Sequence, residues 1–341
     1  MRLLHQPLLL ELRHPFRIAI GMRTHTNAVL TQIQHEGLVG HGEAAMPPYY
    51  GETHDTAAAF LDRAAQLLAP LHDMSDIGAI MAEVDALAPG NHAAKAAVDI
   101  ALHDLWAKMQ GQALWQLWGM NPDTMPPSSF TLGMDSPEVL REKLAEGADF
   151  HIIKVKLGSD DDQAIVRNIR QWSDKPIYAD ANQGWKDRAA ALELVAWLAT
   201  QNVLLIEQPF PKDDLASAAW LRERSPLPLI ADESFQRLAD LDRVADAFHG
   251  VNIKLMKCTG LHEGRQALQA ARNCGLQVMI GCMTETSCGI SAAAALAPHC
   301  DFADLDGCWL IRNNPFANPA FANGRIQLGD LPGLGLVPTA G

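Results

Sequence analysis

A chain of 341 residues, 48% hydrophobic and 20% charged, can bury a large core, which excludes disordered and fibrous classes. Its formal net charge of −13 argues against nucleic acid or an anionic membrane as partner, though a small anionic substrate could still enter a locally basic site. The Leu8-Leu9-Leu10 run is cut short by Glu11 and Arg13, and no stretch reaches the roughly 20 apolar residues of a membrane span, so a cytoplasmic location is expected.

The length exceeds the roughly 100–200 residues usual for one domain, so two domains, or one large barrel with an appendage, are expected. Residues 28–36 alternate apolar and polar as a half-buried strand does, and Gly37 offers a turn before Leu38-Val39, which predicts an antiparallel hairpin. Residues 55–69 and 92–109 are rich in helix formers with apolar positions at helical spacing, and Gly111 is a stop for the second helix. This is an α+β unit, and Pro126-Pro127 marks a linker after it.

Beyond the linker, short apolar runs alternate with helix-like segments. Eight candidate strands stand at 130–132, 152–156, 177–180, 204–207, 229–232, 251–254, 278–281 and 302–306. From Lys156 to Asp304 their polar ends fall 22 to 27 residues apart, close to the roughly 30-residue β/α unit of a barrel. An open doubly wound sheet gathers its ligands at one switch point, whereas polar residues at nearly every strand end favour a closed barrel. The six cysteines (Cys258, Cys274, Cys282, Cys288, Cys300 and Cys308) show no CxxC spacing and read as reduced, mostly buried thiols.

Asp180, Glu207 and Asp232 end three consecutive strands, so their carboxylates can face one point at the barrel mouth. That makes a hard, oxygen-rich site whose expected cofactor is one magnesium ion per subunit. Lys154 and Lys156 are two apart on one strand and point to the same face, where each ammonium is expected to depress the pKa of the other. Lys254 ends the sixth strand, opposite the second, so Lys156 and Lys254 bracket the metal. A carboxylate on the metal has its α-proton acidified through an enediolate, and one lysine can remove the proton while the other returns it to the opposite face. Asp304 and Asp306 again share one face of one strand. They suit a second metal site, a structural pair or a receptor for a substrate ammonium.

Five segments, Lys154-Val155-Lys156, Asp180-Ala181-Asn182-Gln183-Gly184-Trp185, Glu207-Gln208-Pro209, Ala231-Asp232-Glu233-Ser234 and Asn252-Ile253-Lys254-Leu255-Met256-Lys257, together resemble the enolase superfamily, muconate-lactonizing subgroup. Within it the resemblance is greatest to dipeptide epimerases of the L-Ala-D/L-Glu type. It implies an α/β fold: a modified (β/α)7β TIM barrel over 126–308, an α+β capping domain over 1–125, and a tail over 309–341 that returns to the cap. It also implies that Asp180, Glu207 and Asp232 bind magnesium, that Lys156 and Lys254 are the acid/base pair, and that Lys154 supports Lys156 and touches the substrate carboxylate. Asp304 and Asp306 would hold the α-ammonium of a dipeptide, and Arg23, in Gly21-Met22-Arg23-Thr24, would meet a glutamate side chain. Side-chain preference would come from the cap, through the loop around 21–26 and the Tyr49-Tyr50-Gly51-Glu52 loop, with Thr131 and Cys282 as further substrate contacts. N-acylamino-acid racemases, o-succinylbenzoate synthases and cycloisomerases share this catalytic face and are the alternative. The dipeptide and the oligomeric state are left open.

Overall fold

In the computed structural model, which describes residues 1–18, 21–159 and 161–339, the chain opens with strand β1 (Arg2–Ile18). Glu36 and Gly37 then take φ of 48° and 80°, the backbone a two-residue hairpin turn needs. On either side of them run β2 (Gly21–His35) and β3 (Leu38–Met46), so the expected hairpin is present. Expectation had missed β1, which pairs along β2 as the third strand of an antiparallel sheet in the order β1-β2-β3. Its Pro7, and the irregularity between Glu11 and Phe16, hide the alternation and are tolerated because β1 is an edge strand.

Helices α1 (His54–Leu68), α2 (Ile77–Ala86), α3 (His92–Met109) and α4 (Leu114–Leu117) follow. The first begins at a capping box between Thr53 and Thr56. The third, rich in alanine, lies directly on β3. A Cβ at Gly42 would stand 1.9 Å from the Ala97 carbonyl oxygen, and one at Gly40 would stand 2.1 Å from that of Ala101. Those two glycines let helix and sheet backbones touch.

The eight expected barrel strands are all present as one parallel sheet. They are β4 (Ser129–Leu132), β5 (Ile152–Lys156), β6 (Ile177–Asp180), β7 (Val203–Glu207), β8 (Leu229–Ala231), β9 (Gly250–Lys254), β10 (Gln277–Gly281) and β11 (Phe302–Asp304). Only the last departs by more than one residue, since it stops at Asp304 and leaves Asp306 in the following turn. Between the strands run α5 (Pro137–Glu146), α6 (Asp162–Arg170), α7 (Arg188–Ala199), α8 (Leu215–Arg222), α9 (Leu241–Val244), α10 (Leu261–Asn273) and α11 (Ser287–Ala294), giving (β/α)7β. The seam between β4 and β11 carries a backbone bridge from Ser128 to Ala303. Side chains fasten the rest: Ser129 Oγ donates to Asp304 at 2.7 Å and the Thr131 N–H donates to Asp306 at 2.6 Å.

One residue pair below the polar strand ends, Ile152, Tyr178, Leu205, Ile230 and Met279 pack with Phe302 as an apolar floor inside the barrel. Above it, the cap is held by helix N-termini. Asp99 of α3 accepts from the first N–H groups of α10, Leu261 and His262, and Glu43 of β3 accepts from Thr286 N at 2.8 Å and Gly289 N at 3.0 Å at the start of α11. After the short hairpin β12 (Phe321–Ala322) and β13 (Arg325–Ile326), the C-terminal segment runs along the first 120 residues. Leu114 N donates to Gly333 O at 2.9 Å, Trp115 Nε1 to Gly329 O at 2.8 Å and Leu334 N to Asp104 at 2.8 Å. Residues 340 and 341 of the expected tail, 19 and 20 of the cap and 160 of the barrel lie outside the described residues. Among the described residues no helix is long and apolar enough to cross a membrane. All six cysteines are free, five buried and Cys274 exposed.

Gly42→Ala forces a Cβ onto a helix carbonyl that cannot swing aside. We expect a loss of about 1–3 kcal/mol, seen as a lower urea midpoint. An unchanged midpoint would show that α3 lifts freely from the sheet.

Candidate active site

Because side chains alternate along a strand, the apolar floor fixes which residues come next at the barrel mouth. Lys156, Asp180 and Glu207 stand in register on β5, β6 and β7, and Lys254, Gly281 and Asp304 stand in register on β9, β10 and β11. Strands β5 and β9 are second and sixth of eight, so Lys156 and Lys254 face each other across the mouth. A cavity of about 570 Å³, counted out to its opening, lies between them. Lining it are Arg23, Thr131, Lys154, Lys156, Asp232, Lys254, Cys282, Asp304 and Asp306, which the sequence had singled out. Asp180 and Glu207 are fully buried beside it.

The three carboxylates share a pattern. One oxygen of each is held by the scaffold: Asp180 Oδ1 by Asn182 N at 2.9 Å, Glu207 Oε1 by Asn252 Nδ2 at 2.8 Å, and Asp232 Oδ1 by Lys257 Nζ at 2.6 Å. The other oxygen meets an active-site ammonium: Asp180 Oδ2 lies 2.6 Å from Lys156 Nζ, Glu207 Oε2 lies 2.6 Å from Lys154 Nζ, and Asp232 Oδ2 lies 2.7 Å from Lys254 Nζ. Among the described residues Glu207 Oε2 accepts no hydrogen bond of good geometry, although Lys154 is so near. Three buried hard oxygens, each turned toward positive charge, form a donor set suited to a small divalent cation. As they stand, no three acidic, histidine or cysteine side chains among the described residues are gathered as a chelate, since ammonium groups take the inward oxygens.

Charge follows from this interleaving. Burial alone would raise the Asp232 carboxyl, but Lys254 and Lys257 outweigh it and hold it far below the usual range. Burial and the neighbouring Asp180 push Glu207 up. The expected mutual depression of Lys154 and Lys156 is not what surrounds Lys154. Burial works to lower its ammonium, yet Asp304, Glu207 and Asp180 overcome that and raise it well above the ordinary value. Its Nζ donates to Asp304 at 2.7 Å and lies 3.1 Å from Asp180.

Asp304 is therefore engaged on both oxygens, by Ser129 and by Lys154. Asp306 lines the cavity from the turn after β11, not from the strand face it was expected to share, and burial with the nearby Asp304 pushes it up to about 7. Burial raises the Cys282 thiol well above its usual value, which favours the protonated form. From the cap, Tyr49 and Tyr50 reach the cavity, while Glu52 turns away to cap α3 through Ala93 N at 3.0 Å. Arg23 lies over the Phe16 and Tyr49 rings, 5.2 and 5.8 Å from their centroids, and donates to Thr284 Oγ1 at 2.9 Å.

Residues 6–119 match the family model for the mandelate racemase / muconate lactonizing enzyme N-terminal domain, and residues 137–340 match that for the enolase C-terminal domain-like fold. The chain belongs to the enolase superfamily. It is 48% identical over 338 residues to the L-Ala-D/L-Glu epimerase of Bacteroides thetaiotaomicron, spanning 99% of this chain and 88% of that one. A substrate-liganded complex of the L-Ala-D/L-Glu epimerase from Bacillus subtilis superposes with a TM-score of 0.90 at 30% identity, covering 100% of this chain and 99% of the other. The dipeptide epimerase of Enterococcus faecalis, complexed with Mg and L-Leu-L-Tyr, superposes with a TM-score of 0.91 at 30% identity, covering 98% and 99%.

Several cavity residues had no role in the sequence reading. Glu233 is pushed up to about 8 by burial and by Asp232, and its Oε2 has no hydrogen-bond partner among the described residues. Phe16 and Thr284 reach the cavity from ends of the chain that no spacing rule connects. Lys257 stood in a quoted motif, three residues after Lys254. It is buried and donates to Asp232 Oδ1, Asp232 O, Phe235 O and Asn252 O at 2.6 to 3.1 Å. Lys257→Met leaves these four acceptors, one of them on a buried carboxylate, short of a donor, and we expect a loss of about 3–5 kcal/mol. Chemical denaturation checks it, and a loss under about 1 kcal/mol would mean the ammonium is not a tie.

Proposed function

We propose that this protein is a magnesium-dependent dipeptide epimerase that inverts the α-carbon of the C-terminal residue, L-Ala-D/L-Glu or a related dipeptide being its substrate. The observation that carries the reading is that Lys156 and Lys254 stand on opposite walls of one cavity that Asp232 and Asp306 also line, with Asp180 and Glu207 buried beside it. Asp180, Glu207 and Asp232 would hold one magnesium ion per subunit through their inward oxygens. When bound, that ion supplies positive charge that stabilises the carboxylate side of the substrate as its α-proton leaves.

The chain's own groups do the rest. Lys156 as the free amine takes the α-proton from one face and Lys254 as the ammonium delivers a proton to the other, which inverts the centre, and both protonation states and roles reverse for the opposite isomer. Lys154 neutralises the crowded carboxylates and faces the substrate carboxylate, while its hold on Asp304 leaves Asp306 as the principal receptor for the free α-ammonium. Arg23 meets an acidic side chain of the second residue, with Thr131 and Cys282 forming the neighbouring wall. A buried acid at Asp306 disfavours cycloisomerase substrates, which bring no ammonium to pair with it. We assign the cap to 1–125, the barrel to 126–308 and the returning segment to 309–341, and a cytoplasmic location to the whole.

Incubation with L-Ala-L-Glu and magnesium in deuterated water should exchange the C-terminal α-proton and build up the L,D isomer, read by NMR. EDTA should stop both and added magnesium restore them. No exchange across a panel of acidic and apolar dipeptides sinks the proposal.

Lys156→Ala and Lys254→Ala should each lower epimerisation about a thousandfold, while each keeps solvent exchange for the isomer whose base remains. Normal turnover in both variants would refute the two-base assignment.

A further inference from the structure

Arg23 differs from the other cations of the cavity. Lys154, Lys156 and Lys254 are each in an ion pair with a carboxylate, whereas the Arg23 guanidinium hydrogen-bonds a neutral hydroxyl. Its Nε is buried without an acceptor among the described residues. This is a cation with donors to spare, and what fixes its direction decides what it can bind.

Two kinds of contact hold it. The Phe16 and Tyr49 rings attract the guanidinium at 5.2 and 5.8 Å, but a cation over a ring face can rotate and slide at little cost. The hydrogen bond from Nη2 to Thr284 Oγ1, at 2.9 Å, is directional. Among the described residues it is the one hydrogen bond the guanidinium makes.

Thr284 itself lies in a buried, hydrogen-bonded segment. It is 3% exposed and sits between Met283, whose N–H donates to Glu285 Oε1 at 2.7 Å, and Thr286, whose N–H donates to Glu43 Oε1 at 2.8 Å. The bond therefore ties a half-buried side chain near the start of β2 to the segment after β10.

We propose that Thr284 is the positioning residue for Arg23, aiming its guanidinium at the side-chain carboxylate of an acidic dipeptide and so setting the preference for acidic over apolar substrates. This rests on the reading of the cavity as a dipeptide site. Without the hydroxyl the guanidinium swings over the rings, and the pair of donors needed for bidentate carboxylate binding is no longer presented. An apolar side chain does not use those donors and is indifferent to the change.

The test uses the magnesium-loaded wild type, Thr284→Val and Thr284→Ser, with L-Ala-L-Glu and L-Ala-L-Leu as substrates. The valine variant keeps the shape and should raise KM for L-Ala-L-Glu about tenfold, leaving kcat, and both parameters for L-Ala-L-Leu, near wild type. The serine variant should restore KM. Calorimetric binding of L-alanyl-α-methylglutamate, which has no α-proton to lose, should weaken by the same factor in the valine variant. An equal change for both substrates, no change for either, or failure of serine to rescue overturns the positioning role. A wild type inactive on every dipeptide overturns the dipeptide reading itself, and the inference with it.

Discussion

Asp180, Glu207 and Asp232 are 0 to 2% exposed, and three carboxylates can be buried together only if positive charge is set between them. The chain meets that demand with four lysines arranged in two tiers. Lys257 and the amides of Asn182 and Asn252 hold the outward oxygens, and Lys154, Lys156 and Lys254 meet the inward ones. The groups proposed for proton transfer are thus also what lets the acid cluster fold, and neither set could be buried without the other.

That lattice depends on the strands. The apolar floor of Ile152, Tyr178, Leu205, Ile230 and Met279 fixes which face of each of these strands is interior, and the charged groups stand at the interior positions above it. A slip of one residue in any strand would move its charged group into the helix layer. The seam between β4 and β11 is where backbone pairing is thinnest, and there Asp304 and Asp306 substitute for it through Ser129 and the Thr131 N–H. The same two acids thus close the barrel and shape the cavity.

Period-two patterning and regular spacing were enough to place the barrel strands and the residues at their ends, because a parallel sheet buried on both faces leaves polar residues only where strands stop. Three things escaped that logic. Strand β1 was hidden because an edge strand with Pro7 and an irregular register carries no clean alternation. The charge of Lys154 was misjudged because adjacency to Lys156 is visible in the sequence, whereas proximity to Asp304, 150 residues away, is not. Asp306 was put on a strand because the apolar-polar alternation continues through Leu305, although the pairing with β10 ends at Asp304. The Lys154 and Asp306 misses concern contacts with other strands, which no local pattern encodes.

The cap brings a different kind of constraint. Its strands β1 and β2 contribute Phe16 and Arg23 to the cavity, yet the cap is anchored elsewhere, by Asp99 of α3 at the start of α10 and Glu43 of β3 at the start of α11. Helix N-termini suit this role because their unpaired N–H groups and partial positive charge accept a buried carboxylate. Glu43 stands beside Glu285, and burial pushes both carboxyls up even though backbone N–H groups work against it, Glu285 to about 8. The segment from Met283 to Thr286 is thereby tied to the cap through Glu43 and closed on itself through Glu285. The groups proposed for proton transfer sit on barrel strands whose register the core fixes, while Arg23 reaches the cavity from the start of β2. The proposed anchor at Thr284 would let Arg23 select a substrate side chain without disturbing the lysines below it.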